Sequence, residues 1–308
     1  MSEQWTTANI PNLKGITAIV TGANSGLGLH STEALAASGA KVIMACRNQA
    51  KANGAADKIR AEVPQADLEV RSLDLSDLAS VRAFADSISK DGINIHRLVN
   101  NAGIMAVPEG RTTDGFEMQM GTNHLGHFAL TGLLLGQLSE DARIVNVSSM
   151  AHRWTPGIDF DDLHWESRRY NRWQAYGDSK LANLLFTFGL RDRLAKAGSG
   201  IMAIAAHPGY SDTHLQFVAA EQTQSKLEKW AMAAANALVA QSAEMGALPS
   251  LYATTADDVE SGDFIGPDGF QQMRGYPRKV GCRKQARSTE LADRLWNVSE
   301  ELTDTAYL

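Results

Sequence analysis

Seven short runs of apolar or β-branched residues punctuate the chain, and most are separated by longer segments in which apolar residues recur at helical spacing. The runs are "ITAIV" (16–20), "KVIMA" (41–45), "LEVRS" (68–72), "HRLVN" (96–100), "ARIVNV" (142–147), "IMAIAA" (201–206) and "DFIG" (263–266). Strands that alternate with helices predict βαβ units, and strands covered on both faces are continuously apolar. We therefore predict an α/β fold with a seven-stranded parallel sheet and helices on both faces.

The sequence predicts one doubly wound domain over residues 1–308, because it contains neither an internal repeat nor a linker rich in Pro, Gly or Ser. Two stretches interrupt the alternation, at about 150–172 and at 211–241. Insertions at the carboxyl ends of parallel strands commonly build the ligand cleft of such a sheet. We expect both stretches to line a cleft, and simple coverage of the surface is the alternative.

The composition narrows the choice of partners and of compartment. A net charge of −6 argues against nucleic acid, which normally requires a basic face. Cys46 and Cys282 lack the spacing of a metal site or a C-x-x-C motif, so we expect free thiols, a reducing compartment and no metal. The N-terminus lacks a signal pattern and no apolar run is long enough to cross a bilayer, so we expect a cytoplasmic protein without a transmembrane segment.

The first predicted strand runs directly into "TGANSGLG" (21–28), and a helical pattern follows at once. Gly22 suits a tight turn, Gly26 lets the backbone approach a pyrophosphate, and Gly28 allows close packing of helix and strand. This strand–turn–helix setting indicates a Rossmann dinucleotide site, although G-x-x-x-G-x-G differs from the common G-x-G-x-x-G. The cofactor contacts predicted in this loop are Gly22, Asn24, Ser25, Gly26, Leu27 and Gly28.

The end of the second strand indicates which dinucleotide binds. Sites for NAD usually place an acidic residue here, whereas this chain has Cys46, Arg47 and Asn48. A guanidinium can bind a 2′-phosphate bidentately, and no carboxylate at the strand end would repel that phosphate. We infer NADP(H) as the cofactor, held in part by Arg47 and Asn48. A solvated arginine at a strand end is the alternative.

The next two strand ends extend the predicted cofactor site. Asp74 and Leu75 follow the third strand and are placed to contact an adenine ring. The fourth strand ends in "NNAG" (100–103), where small residues let the backbone come close to a cofactor. We therefore add Asn101, Ala102 and Gly103 to the cofactor contacts. A plain turn at Gly103 and a backbone tie at Asn101 are the alternatives.

The motifs "TGANSGLG", "NNAG", "NVSS", "YGDSK" and "HPG" occur in the order and approximate spacing of the short-chain dehydrogenase/reductase family, which the chain resembles over roughly residues 14–270. "ACRN", "TNHLGHFALT", "RIVNVSSMAH" and "DSKLANLLF" look more particularly like the retinol dehydrogenase-like branch, and are also similar to light-dependent protochlorophyllide oxidoreductases. The resemblance implies an oxidoreductase that uses an Asn-Ser-Tyr-Lys tetrad.

Each member of that tetrad has a match: Asn123, Ser149, Tyr176 and Lys180. The alternation of a strand does not choose between Ser148 and Ser149, but the family pattern places the catalytic serine second. By the same resemblance, Lys180 holds the nicotinamide ribose and Asn123 holds a water beside it. Pro208 and Gly209 form a wall beside the nicotinamide, and Thr213 contacts its carboxamide.

Tyr176 and Lys180 lie four residues apart, on one face of a predicted helix. A free phenol has a pKa near 10 and is a poor base at neutral pH, but a cation one turn away favours the phenolate. We therefore expect Tyr176 to act as general acid/base in hydride transfer between nicotinamide and a carbonyl or alcohol. Asp178 is about 200° around the helix from Tyr176, so we expect its side chain to point away from the site.

The sequence departs from the family pattern between the serine and the tyrosine, where the gap is 176 − 149 = 27 residues instead of about a dozen. The insertion is rich in aromatic residues and in arginines. The aromatic residues suit the wall of a lipophilic substrate site, and equally a protein contact. A homodimer and a tetramer therefore both stay open. Two other functions are weighed: a non-catalytic NADP-binding sensor, and a C=C reductase of a protochlorophyllide-like pigment. We expect the flanking histidines His124, His127 and His152 to be packing residues.

Overall fold

The computed structural model describes residues 4–210 and 241–307, and within them the chain forms an eight-stranded sheet. The strands follow the order β3-β2-β1-β4-β5-β6-β7-β8 across the sheet. Their bounds are β1 (Thr17–Thr21), β2 (Lys41–Cys46), β3 (Asp67–Ser72), β4 (Ile95–Asn100), β5 (Leu138–Val147), β6 (Met202–Ala206), β7 (Phe264–Pro267) and β8 (Pro277–Lys279). The order reverses between β1 and β4, which is where an open α/β sheet forms its cleft.

The predicted seven-stranded parallel sheet is confirmed in its first seven strands, and the count is wrong by one. β8 pairs with β7 in the antiparallel direction, with Ile265 opposite Lys279. The strand is three residues long, and two of them are exposed. It therefore lacks the buried apolar run by which the other strands were predicted. β5 also begins at Leu138, four residues before the predicted start at 142. Its first four residues are exposed or only half-buried, so they do not form a continuous apolar run.

Helices cover both faces of the sheet, as predicted for a doubly wound domain. The structure shows α1 (Gly26–Ala37), α2 (Gln49–Glu62), α3 (Leu78–Lys90), α4 (Met118–Met120), α5 (Gly126–Leu134), α6 (Arg172–Lys196), α7 (Ala243–Thr255) and α8 (Thr289–Thr303). Successive strand residues point to opposite faces, so Ile19 joins one buried cluster and Val20 another. Such alternation fixes the register of each strand between two helical layers.

Polar caps set where the helices around the site begin. The side chain of Asn48 accepts a hydrogen bond from the Lys51 N–H at the start of α2. The side chain of Asn171 accepts from the N–H groups of Trp173 and Gln174, at the start of α6. An N-cap of this kind is worth about 1 kcal/mol. The cap at Asn171 therefore helps to fix the first turn of the helix that carries Tyr176.

The insertion at 150–172 begins with a 3₁₀ helix, Met150–Arg153, and then runs without regular secondary structure to α6. The guanidinium of Arg168 stacks over the Trp165 ring at 3.8 Å, and its Nε lies 3.3 Å from Asp162. The second predicted insertion, 211–241, lies outside the described residues except for Gln241. Among the helices that the structure describes, none combines the length and apolar character required to span a membrane.

Candidate active site

The glycine loop between β1 and α1 has the backbone geometry that a bound pyrophosphate needs. Gly22 and Gly26 have φ values of +66° and +52°, in the left-handed region where a side chain is strained. A Cβ at Gly28 would lie 2.3 Å from the carbonyl oxygen of Gly22. The N-terminus of α1 follows directly at Gly26, and partial positive charge at such a terminus favours a phosphate. The cradle therefore fits a dinucleotide.

Cys46 lies at the end of β2 and contacts the glycine loop at Ala23 and Asn24. Its side chain is buried, and the backbone N–H groups of Ala23 and Asn24 bond to its sulfur. Burial raises the pKa of the Cys46 thiol to about 11, against the smaller lowering effect of those hydrogen bonds. The thiol therefore stays protonated at neutral pH and acts as a packing group. Both Cys46 and Cys282 are free, as predicted.

The residues predicted to select NADP(H) follow the carboxyl end of β2. The side chain of Arg47 is 73% exposed, and its Nε lies 3.9 Å from Asp74 Oδ2. Asp74 also accepts hydrogen bonds from the backbone N–H and hydroxyl of Ser76. Asn48 uses its side-chain oxygen as the cap of α2, which leaves that oxygen less free for a ligand. Arg47 is thus the accessible cation at this strand end.

The end of β4 is tied to the end of β1 by a residue that the sequence did not single out. The hydroxyl of Thr21 accepts hydrogen bonds from the N–H groups of Asn101 and Ala102, each at 2.9 Å. The side-chain amide of Asn101 donates to the Thr21 carbonyl at 2.8 Å. Thr21 therefore holds the "NNAG" turn against the glycine loop. Its only sequence signal is a polar side chain at the last position of a buried strand.

Asn123 lies in a π-helical turn, Gly121–Leu125, between α4 and α5. Its side-chain oxygen accepts from the Ile104 N–H at 2.8 Å, and its amide donates to Ser179 Oγ at 3.0 Å. A Cβ built on Gly103 would lie 3.1 Å from Asn123 Oδ1 and 3.4 Å from Lys180 Nζ. Single π-turns are frequent at functional sites, because they redirect one residue out of the helical pattern. Here the turn brings Asn123 beside the end of β4 and beside α6, the helix that carries Tyr176 and Lys180.

Tyr176 and Lys180 lie on one face of α6, with Lys180 Nζ 5.8 Å from the centre of the Tyr176 ring. Burial raises the pKa of Tyr176 to about 12, while the neighbouring Ser149 side chain lowers it by a smaller amount. Burial also lowers the pKa of Lys180 to about 8, and its Nζ donates to the Val147 carbonyl at 3.1 Å. Burial therefore opposes both charges and keeps Tyr176 protonated in the chain alone. The role of Lys180 in favouring the phenolate stays a prediction.

The two adjacent serines make different contacts. The Ser148 hydroxyl donates to the backbone carbonyl of Lys180 at 2.8 Å and is buried. Ser149 lies close enough to Tyr176 to lower the pKa of its phenol, and the Ser149 hydroxyl accepts from the Ala151 N–H at 3.2 Å. These contacts favour Ser149 over Ser148 as the serine beside the phenol, and the choice stays a prediction.

The three flanking histidines are buried and hydrogen-bonded, as packing residues are. His127 Nε2 lies 2.9 Å from Thr21 Oγ1 and its Nδ1 lies 3.0 Å from the Asn123 carbonyl. Burial lowers the pKa of His127 to about 4, so the ring is neutral at pH 7. His124 contacts Ser299, and His152 contacts the Ser149 carbonyl at 2.6 Å. Among the described residues, no cluster of His, Cys, Asp and Glu could hold a metal ion.

The end of β6 supplies the next predicted contacts, Pro208 and Gly209. Gly209 has φ +69°, and a Cβ there would lie 2.4 Å from the Met273 carbonyl. The side-chain amide of Gln241 donates to the Pro208 carbonyl at 2.7 Å, and its oxygen accepts from the Gly275 N–H. Pro208 therefore has a fixed backbone. Thr213 lies outside the described residues.

The end of the insertion and the start of α6 line an open cavity of about 500 Å³, together with Pro108. The lining residues are Pro108, Arg169, Tyr170, Asn171, Arg172 and Trp173. Trp154 and Trp173 are 63% and 39% exposed, and their rings meet edge to face at 6.3 Å. Trp173 is one helical turn before Tyr176, so these aromatic rings lie near the tetrad helix's first turn. The cavity has a mixed lining, in which two arginines and an asparagine lie beside two aromatic rings.

Comparison with protein families and curated proteins gives matches over most of the chain. A family model described as short chain dehydrogenase matches residues 16–158. Human retinol dehydrogenase 13 is 42% identical over 299 residues, which cover 96% of this chain and 86% of that protein. Mouse retinol dehydrogenase 12 is 41% identical over 300 residues, covering 96% and 88% respectively.

Solved structures share the architecture. A crystal structure of an uncharacterized protein from Mycobacterium paratuberculosis has a TM-score of 0.82 and 46% sequence identity, and covers 99% of this chain and 100% of that one. A short chain dehydrogenase from Burkholderia cenocepacia, solved in complex with NADP, has a TM-score of 0.63 at 23% identity. It covers 82% of this chain and 96% of its own, and at that identity the likeness speaks for the fold alone.

Proposed function

Because the chain belongs to the short-chain dehydrogenase/reductase family of oxidoreductases, which use a nicotinamide cofactor, we propose that it interconverts a carbonyl and an alcohol with NADP(H). The observation that carries this proposal is the placement of Tyr176 and Lys180 on one face of α6, with Lys180 Nζ 5.8 Å from the centre of the Tyr176 ring and Ser149 beside the phenol. Lys180 Nζ lies 3.4 Å from the Cβ position of Gly103, which follows the carboxyl end of β4. A hydroxyl pair next to a cation at this edge suits proton transfer to a substrate oxygen.

The cofactor would be held by the glycine loop, by the β4 end and by Arg47. A Cβ at Gly28 would clash with the Gly22 carbonyl oxygen, so the close contact between them requires glycine. Because the loop carries no side chains at these positions, its backbone can approach a pyrophosphate. Arg47 suits a 2′-phosphate because its guanidinium is exposed and only loosely paired with Asp74. When bound, NADPH supplies the hydride that reduces the carbonyl carbon.

The chain's own residues would then handle the oxygen of the substrate. The Ser149 and Tyr176 hydroxyls donate hydrogen bonds to it and so stabilise the charge that develops during reduction. Because burial keeps Tyr176 protonated at neutral pH, its hydroxyl is ready to deliver the proton. The Lys180 ammonium stabilises the phenolate that this transfer leaves. Alcohol oxidation is the reverse, with Tyr176 as the base.

We extend the proposal to a lipophilic substrate. Trp154 and Tyr170 on the insertion and Trp173 in the first turn of α6 supply aromatic surface near the start of the helix that carries Tyr176. The names of these two retinol dehydrogenases point to retinol as their own substrate. For this chain we propose the wider class of lipophilic carbonyls and alcohols. A cytoplasmic location, supported by its free cysteines, belongs to the same proposal.

A substrate screen tests the proposed function. Purified protein is incubated with NADPH and a panel of lipophilic aldehydes, ketones and quinones, and NADPH oxidation is followed spectroscopically. Tyr176→Phe is the matched control, since it removes one hydroxyl and keeps the ring. Turnover in the wild type that falls by about 10²-fold or more in the variant, with NADPH affinity retained, is the expected result. Tight NADPH binding without any turnover would favour a sensor instead.

A further inference from the structure

Two residues between the tetrad tyrosine and lysine, Gly177 and Asp178, make contacts that the proposed reaction does not use. A Cβ at Gly177 would lie 2.9 Å from the carbonyl oxygen of Ala151 and 3.3 Å from Thr155 Cβ. The α6 backbone therefore packs directly on the 3₁₀ helix Met150–Arg153, which follows Ser149. A glycine is required at 177 because any larger side chain would push this segment away.

Asp178 extends the same contact. Its side chain and that of Thr155 are 2% and 3% exposed, and the Thr155 hydroxyl donates to Asp178 Oδ1. The same hydroxyl accepts a hydrogen bond from the Gly157 N–H at 3.0 Å. Arg283 donates to the backbone carbonyl of Thr155, and to that of His152 at 3.3 Å. Thr155 is thus the point at which the insertion is fastened to α6.

The segment from Ser149 to Thr155 is internally braced, so its position is set as one piece. The Ala151 N–H donates to Ser149 Oγ at 3.2 Å, and the His152 N–H donates to the Ser149 carbonyl at 3.1 Å. The Trp154 N–H donates to the Ala151 carbonyl at 2.9 Å. A displacement at Thr155 would therefore be carried back to Ser149.

We propose that Asp178 is a positioning residue that acts through Thr155 to hold the segment 149–155 on α6 and so aligns the Ser149 hydroxyl with Tyr176. Asp178 lies about 200° around the helix from Tyr176 and touches no reacting group. We therefore expect Asp178 to affect turnover only by holding the segment 149–155 in place. The inference rests on the proposed function, because it assigns a kinetic consequence to the position of Ser149 beside Tyr176.

Thr155→Val is the variant that tests the proposal, since it removes the hydroxyl and keeps the shape. Thr155→Ser is the matched control, because it keeps the hydroxyl and removes a methyl group. We expect Thr155→Val to lower kcat roughly 10- to 100-fold, as small misplacements of reacting groups do, with the KM for NADPH within about twofold. Thr155→Ser should restore most of the lost kcat. Unchanged kcat in Thr155→Val, or an equal loss in both variants, would overturn the proposal.

A second measurement does not depend on turnover. Hydrogen exchange of the backbone amides at Ala151, His152 and Trp154 should be faster in Thr155→Val than in Thr155→Ser, with the α7 amides unchanged. Equal exchange in the two variants would show that Thr155 does not brace the segment, and the proposal would be wrong. If exchange is faster in Thr155→Val but the wild-type protein reduces no carbonyl, Thr155 does brace the segment and the proposed function is wrong instead. Faster exchange with unaltered kcat would show a brace without any positioning effect.

Discussion

The ammonium of Lys180 lies 5.8 Å from the centre of the Tyr176 ring and is anchored by the Val147 carbonyl at 3.1 Å. This hydrogen bond holds the Lys180 ammonium at the end of β5, next to the residue that precedes Ser148 and Ser149. Burial lowers the pKa of Lys180 to about 8 and raises that of Tyr176 to about 12. Over the pH range of an ordinary assay, Lys180 therefore changes charge while Tyr176 stays protonated.

Carbonyl reduction should slow as the pH rises through about 8. Above that pH the neutral Lys180 amine no longer stabilises the phenolate that proton transfer leaves. The profile of kcat against pH, measured with saturating NADPH, gives the position of this step. Lys180→Met should be slower at every pH and should lose the step near 8. A step that persists in this variant would assign the titration to another group.

Sequence patterns predicted the strands and the glycine loop because both depend on local chemistry. Buried strands need continuous apolar runs, and the turn at Gly22 and Gly26 needs φ values that glycine tolerates. β8 was missed because it has one buried residue. The partner of Asp178 was missed because Thr155 is 23 residues away, in a stretch without periodicity. The pKa of Tyr176 depends on burial, which a pattern of residues does not measure.

Arg47→Asp should change the cofactor preference. The wild-type guanidinium is exposed and free to bind a 2′-phosphate, whereas an aspartate would repel one. We expect the KM for NADPH to rise about 10- to 100-fold, which corresponds to the loss of a charge-assisted hydrogen bond. The KM for NADH should change little or fall. An equal loss with both cofactors would mean that Arg47 supports the fold of the strand end and does not read the phosphate.

Ser149→Ala should separate the two serines. Loss of a hydroxyl that stabilises a developing oxyanion typically lowers kcat by about 10²- to 10³-fold. Ser148→Ala removes a hydrogen bond to the Lys180 carbonyl, so it should cost about 1 kcal/mol in the free energy of unfolding. Turnover and denaturant unfolding of both variants give the comparison. A larger kinetic loss in Ser148→Ala would reverse the assignment.

Gly28→Ala should damage the cofactor site, and Gly54→Ala should not. A Cβ at Gly28 would lie 2.3 Å from the Gly22 carbonyl and 2.6 Å from Asn101 Nδ2, so the loop must shift. We expect a stability loss of about 1–3 kcal/mol and greatly weakened NADPH binding. Gly54 lies within α2 and has no atom within 4 Å of its Cβ position, so alanine there should stabilise by about 0.5–1 kcal/mol. Thermal unfolding with and without NADPH measures both effects.

Asp178 should make the protein less stable as the pH rises from about 4 to about 7. Burial raises the pKa of its carboxyl from 3.8 to about 7, against a lowering effect from Thr155 and Arg168 and a further raising effect from Glu117 and Asp159. In this pH range the unfolded chain has released the proton and the folded chain still holds it. The unfolded state then binds fewer protons, so the free energy of unfolding falls with rising pH.

Comparison with Asp178→Asn isolates this contribution. The wild type should lose on the order of a few kcal/mol relative to the variant between pH 4 and pH 7, with no further loss well above pH 7. Denaturant unfolding at a series of pH values gives the difference directly. Asp141→Asn is the control of opposite sign, because the hydrogen bond from Ser139 lowers the pKa of the Asp141 carboxyl. At pH values above the unfolded-state pKa of Asp141, the wild type should be more stable than Asp141→Asn. This extra stability should disappear as the pH falls through the lower folded-state pKa of Asp141. A difference for Asp178 that is flat with pH, or that has the sign of Asp141, would show that the carboxyl is ionised in the folded chain. The Thr155 hydroxyl would then face a full negative charge at neutral pH.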